Sequence, residues 1–304
     1  MKPSTMFTGL SAFPLTPLTE TGVDERAFEG LVGRLAAAGV DSIGALGSTG
    51  SYAYLDRSER ARVASLAVEC AEGVPVIVGV GALGTRQVLR NVEDAQNAGA
   101  AGVLLAPMTY QPLTEDEVFG LYEDVSANLS VPLVVYDNPA TTRVNFSDEL
   151  HGRIAQLKAV ASIKIPPVPA NPAEATGRVA ALRAIVPGHV SIGVSGDGAA
   201  ANGLLAGADA WYSVIGGILP EECLAITRAA ASGDAEKARA LSTAMDPLWL
   251  LIARYGSFRV ASAVAEELGL VKPGNLPRPV RGLDGDGRLA VRNALDEIGI
   301  PTRA

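Results

Sequence analysis

Eight short apolar, β-prone runs punctuate the chain as far as Val214, and each is separated from the next by a longer stretch with helical patterning. They are Gly9–Phe13, Ser42–Leu46, Val76–Val80, Gly102–Ala106, Leu133–Tyr136, Val160–Lys164, Val190–Val194 and Ala210–Val214. Such alternation is the pattern of parallel strands, because a parallel neighbour cannot be reached through a tight turn and needs a crossover helix. The helical stretches open on capping signals: Asp24 before Glu25, Asp56 before Arg57, Thr85, Thr114 with Glu117 three residues on, Ser147 before Asp148, and Asn171 before Pro172. Ala38-Gly39, Ala98-Gly99 and Ala206-Gly207 close three of them just before a run, where glycine suits the left-handed C-cap.

Eight βα units predict an α/β chain built as a (β/α)8 TIM barrel over residues 1–219, with its working groups at the strand carboxyl ends. A doubly wound open sheet is the alternative. It calls for a Gly-rich phosphate loop after the first strand, whereas the chain there reads Ala12-Phe13-Pro14-Leu15-Thr16-Pro17. Past Gly216-Gly217 only helical patterning continues, over Pro220–Ala231, Asp234–Arg254, Ser257–Leu268 and, after a Pro/Gly-rich stretch, near Arg288–Ile298. No flexible linker sets this part off, so residues 220–304 are expected as a helical region packed on the barrel or on a neighbouring subunit.

The formal net charge of −8 and the lack of any Lys/Arg run argue against a nucleic-acid partner or an anionic membrane surface and favour a small-molecule substrate. No uninterrupted apolar run approaches the roughly 18 residues of a membrane span. The start, Met1-Lys2-Pro3-Ser4-Thr5, lacks the apolar core of a secretion signal. Cys70 and Cys223 lie far apart in helical patterns and read as buried thiols, so a cytoplasmic setting is expected. His189 precedes the seventh run, at the wrong end for catalysis, and His151 falls early in the helix after the fifth. No metal and no cofactor is expected from so few ligands, with a carboxylate-only magnesium site left open.

Chemistry concentrates at the carboxyl ends of the runs. Lys164 closes the sixth run, in Ile163-Lys164-Ile165-Pro166-Pro167, where prolines stop the ladder. A lysine there either buries its stem with its head in water or presents a desolvated amine able to attack a carbonyl. Tyr136 ends the fifth run, one strand spacing of about 4.8 Å away. After the second run, Gly47-Ser48-Thr49-Gly50 sets two hydroxyls between glycines, which reads as a turn or as a cradle for a carboxylate. Glycines after the seventh and eighth runs leave room for a ligand, and Asp197 there reads as a loop-ordering group.

Gly47-Ser48-Thr49-Gly50, Tyr136-Asp137-Asn138-Pro139, Ile163-Lys164 and Ser195-Gly196-Asp197, in this order and spacing, resemble the dihydrodipicolinate synthase / N-acetylneuraminate lyase family of class I aldolases, over nearly the whole chain. The resemblance implies a Schiff-base-forming lyase acting on pyruvate or a related 2-keto acid, by aldol, dehydratase or deaminase chemistry. It makes Lys164 the imine-forming amine, Tyr136 the proton carrier and Ser48 its hydroxyl relay. Ser48, Thr49, Gly47, Gly50 and Val214 would contact the keto acid. A homo-oligomer, dimer or tetramer, is expected from the same likeness.

Three departures stand out. Thr109 occupies the place of an aromatic tyrosine that the synthases send into a neighbouring subunit, with Tyr110 one later. Thr141 stands where they keep an arginine for the second substrate's carboxylate, and Arg143 comes two residues on. Ile165-Pro166-Pro167 replaces small or acidic residues. Thr109, Tyr110, Thr141 and Arg143 are therefore the candidate second-substrate contacts, in a pocket rebuilt relative to the synthases. A true 4-hydroxy-tetrahydrodipicolinate synthase, condensing pyruvate with aspartate semialdehyde, is the alternative; a non-catalytic keto-acid-binding barrel is the alternative of another class.

Overall fold

The computed structural model describes residues 4–302. Met1-Lys2-Pro3, read above for a secretion signal, and Arg303-Ala304 at the end of the helical region lie outside them. The chain forms β1 (Gly9–Ala12), a small hairpin of β2 (Leu18–Thr19) and β3 (Gly22–Val23), then β4 (Ser42–Ala45), β5 (Val76–Gly79), β6 (Gly102–Leu105), β7 (Leu133–Tyr136), β8 (Val160–Ile165), β9 (Ser191–Val194) and β10 (Ala210–Ser213). All but the hairpin strands pair in parallel and close into a barrel in the order β1-β10-β9-β8-β7-β6-β5-β4. Among the described residues no helix is long and apolar enough to cross a membrane.

The eight expected runs are the eight barrel strands, within a residue or two at their ends. One boundary matters: β8 continues to Ile165, so Lys164 is the penultimate residue of its strand, and Pro166-Pro167 stop the ladder one position later than expected. Strand alternation then sends Ile163 and Ile165 outward to the helix layer and Ser162 and Lys164 inward. Inside, Ser162 is bonded to both the Tyr212 hydroxyl (2.6 Å) and Ser191 (2.7 Å).

Most capping signals act as expected. Asp56 and Thr114 each form a reciprocal capping box, with Glu59 and Glu117. Thr85 does not cap: it is the first helical residue, and Gly84 precedes it. The stretch Asp234–Arg254 is two helices, Ala235–Ala244 and Asp246–Tyr255, because Pro247 lacks the amide that would continue one. The helices after Pro220 lie against the barrel: Trp249 packs on Gly198 beside β9, and Ile252 and Phe258 reach the cleft at the barrel mouth.

Asp197 ties the β9 and β10 loops together. Its Oδ1 accepts from Trp211 Nε1 (3.1 Å), Ser213 Oγ (3.0 Å) and the Val214 amide (3.2 Å), and its Oδ2 from the Ile215 amide (2.9 Å). Burial pushes its carboxyl above the usual carboxylate range, against the pull of these same donors. Asp197→Ala leaves buried donors without an acceptor and is expected to cost on the order of 3 kcal/mol. Urea denaturation checks this, and a loss below about 1 kcal/mol would refute the lashing role.

Candidate active site

The barrel mouth holds a cavity of about 910 Å³. Lys164, Tyr136, Ser48, Thr49, Val214, Thr109, Tyr110, Thr141 and Arg143 all line it, so chain segments from Ser48 to Val214 converge there. Gly47 and Gly50 do not. A Cβ on Gly47 would lie 2.5 Å from the Phe13 ring, and one on Gly50 would lie 2.9 Å from the Leu46 backbone. Packing within the protein by itself requires a glycine at both positions.

Register delivers the central pair. Tyr136 on β7 is the direct cross-strand partner of Lys164 on β8, and Asp137 donates its amide to the Lys164 carbonyl at 3.0 Å. Lys164 is 3% exposed, and among the described residues no ion pair engages it. Its Nζ instead faces aromatic rings, 4.2 Å from the centroid of Phe13, 4.3 Å from Tyr136 and 5.7 Å from Tyr212. Ring faces attract a cation without neutralising it, so the amine is desolvated and still lacks an anion.

The Tyr136 hydroxyl lies 3.2 Å from Ser48 Oγ and accepts from Asn138 Nδ2 at 2.8 Å. Burial pushes the phenol up, but the charge of Lys164 and hydrogen bonds with Ser48 and Asn138 outweigh it, and the group sits below the ordinary tyrosine value. Thr49 is 3% exposed, and its Oγ1 has no partner. A buried hydroxyl beside a cavity is left wanting a hydrogen-bond partner.

The second-substrate candidates lie on the rim. Thr109 turns its hydroxyl onto the Gln111 carbonyl of its own loop. Tyr110 is 87% exposed. Thr141 belongs to a short helix, Pro139–Thr142, not foreseen from the sequence, and Arg143 ends it in the left-handed region at φ 59°. Of the histidines, His189 is exposed at the far end, while His151 is fully buried, stacked on Phe146, with Nε2 at 3.3 Å from Asp137 Oδ2 but not aligned for a hydrogen bond. Phe13, Asn138 and Tyr212 were not singled out as site residues. Phe13 carried a signal, as the last residue of the first β-prone run. Among the described residues no group of three or more His, Cys, Asp or Glu side chains is placed to hold a metal ion.

A family model described as the dihydrodipicolinate synthetase family matches residues 6–298. A 4-hydroxy-tetrahydrodipicolinate synthase of Hyphomonas neptunium is 35% identical over 242 residues, covering 78% of this chain and 80% of that one. The crystal structure of a dihydrodipicolinate synthase from Agrobacterium tumefaciens superposes with a TM-score of 0.94 at 43% identity, covering 97% of this chain and 99% of that one. A chloride-inhibited dihydrodipicolinate synthase from Acinetobacter baumannii, solved with pyruvate, gives 0.88 at 26% identity, with 97% and 100% covered.

Removing the Lys164 charge should reverse the balance at Tyr136. In Lys164→Met the phenol, left with burial as the dominant influence, is expected to titrate above the ordinary tyrosine value. Ultraviolet difference titration against Tyr136→Phe isolates this group, and an unchanged midpoint would show that Lys164 does not govern it.

Proposed function

Because the chain belongs to the dihydrodipicolinate synthetase family of class I aldolase-type lyases, we propose that Lys164 forms a Schiff base with the keto carbon of pyruvate or a related 2-keto acid. The observation that carries this reading is a buried amine without an anion, flanked by a phenol held below its ordinary titration range.

In this reading the ammonium of Lys164 and the ketone exchange to a protonated imine and water: the C–N bond forms, and the keto oxygen leaves with two of the nitrogen's hydrogens. Tyr136 carries the protons between nitrogen and oxygen, and Ser48 relays them. The positive imine withdraws electrons from the neighbouring carbon, which lowers the barrier to making or breaking a bond there. Thr49 offers its free hydroxyl to the acid's carboxylate beside Ser48, and Val214 forms part of the wall. Such fixed groups hold the acid in register with the amine.

For the second substrate, Arg143 and Thr141 on the Pro139–Thr142 turn and Thr109 and Tyr110 on the opposite loop are the proposed contacts. Condensation of pyruvate with aspartate semialdehyde is the second reading, favoured by the name of the Hyphomonas relative. The departures at Thr109 and Thr141 weigh against it, since they remove the groups that the family resemblance assigns to that aldehyde. A keto-acid-binding barrel without turnover has less support, because binding alone needs no unpaired amine.

We also read the chain as a homo-oligomer. Tyr54 and Tyr110 line the cavity yet are 49% and 87% exposed, and a second copy covering this rim would bury both. Both cysteines are free, which fits a reducing cytoplasm.

Borohydride reduction with pyruvate should leave a stable adduct on the peptide that contains Lys164. Lys164→Ala is expected to abolish it, and equal trapping in that variant would overturn the imine reading. Tyr136→Phe should keep the adduct's site and slow its formation by about 10²- to 10⁴-fold. An adduct without turnover on any aldehyde tried would favour the binding barrel. Light scattering coupled to size exclusion should give a mass above one chain, and Tyr110→Ser should lower it; a monomer at all concentrations refutes the covered rim.

A further inference from the structure

We propose that Phe13 limits the size of the 2-keto acid that Lys164 accepts, by walling the space beside the amine nitrogen; this rests on the imine reading of the site. Phe13 follows directly on β1, and β1 stands four places round the barrel from β7, which carries Tyr136. The two rings therefore reach the same nitrogen from opposite walls, with centroids 4.2 and 4.3 Å from Lys164 Nζ. Any carbon that bonds to Nζ lies within one bond length of it, so the groups on that carbon come into contact with these faces. With the carboxylate directed to Ser48 and Thr49, the remaining substituent is left only the space beside the nitrogen that the Phe13, Tyr136 and Tyr212 rings bound.

The ring is seated against β4. A Cβ on Gly44 would come within 2.4 Å of Phe13 Cζ, and one on Gly47 within 2.5 Å of Cδ1, so β4 and its loop seat the ring with no slack. Tyr212 closes a third side edge-to-face, at 6.0 Å between centroids and 79° between planes. The Phe13 amide donates to the Ser213 carbonyl at 2.9 Å, and Gly217 abuts the Phe13 carbonyl, which fixes the backbone. Phe13 is 2% exposed. With three rings around the nitrogen, bulk is excluded at the keto acid's own side group.

Competitive borohydride trapping on Lys164 with pyruvate and 3-methyl-2-oxobutanoate tests the wall, since the two acids differ only in the side group. A rigid apolar pocket discriminates by about 10- to 200-fold per methylene-sized group. The unaltered chain should therefore favour pyruvate by at least about tenfold, Phe13→Ala should narrow the preference to within about threefold, and Phe13→Leu should fall between. Circular dichroism and thermal melting check that each variant folds, and Phe13→Leu alone decides the matter if Phe13→Ala does not. Adducts on Lys164 with the same ratio in the folded variants and the unaltered chain would overturn the role of Phe13 and leave the imine reading standing. No adduct with either acid would overturn both.

Discussion

The site depends on a cation held without an anion. Lys164 is buried inside the barrel mouth, and what its nitrogen meets are the faces of Phe13, Tyr136 and Tyr212. A carboxylate partner would lock the ammonium in place; aromatic faces hold it more weakly. Much of the local architecture serves that arrangement. Gly44 and Gly47 are small because Phe13 fills the space above them, and Gly193 is small because a Cβ there would lie 2.2 Å from the Tyr212 ring. Ser162 in turn holds the Tyr212 hydroxyl from inside the barrel and itself accepts from Ser191.

The charge of Lys164 also acts on its neighbour. Tyr136 is buried, and burial by itself would make its phenol harder to ionise; the lysine, Ser48 and Asn138 reverse that. Asn138 is informative because the hydroxyl's partners come from this chain's own β4 loop and β7 loop. Thr109, at the position where the resemblance leads one to look for a relay tyrosine, bonds instead to its own loop. Within this chain the Tyr136 hydroxyl already has two side-chain partners, Ser48 and Asn138.

Much of the fold and the central pair of residues were legible in the residues alone. Strand and helix periodicities are local properties, and eight repetitions of βα punctuation leave few topologies open. Adjacent parallel strands in sequence are adjacent in space, so Tyr136 and Lys164 could be paired without a structure, and they occupy matching register. The loop glycines show what local sequence leaves open. Gly47 and Gly50 read equally well as open backbone for a ligand or as space for a neighbour, and only the tertiary structure shows the neighbours, the Phe13 ring and the Leu46 backbone. His151 was passed over because nothing local shows that its helix turns it inward against Phe146 and toward Asp137.

By itself the sequence determined what repeats along the chain or lies between sequential neighbours: the parallel barrel, the strand ends where chemistry collects, and the lysine beside the tyrosine. The tertiary structure decided what converges from distant elements. Phe13 from β1, Tyr212 from β10 and Ser48 from the β4 loop meet Lys164 and Tyr136 only because the sheet closes into a ring that brings its first strand next to its last. No periodicity records that closure at the level of side chains, since it is set by the tilt of the strands and by which positions keep a glycine to let a ring pass.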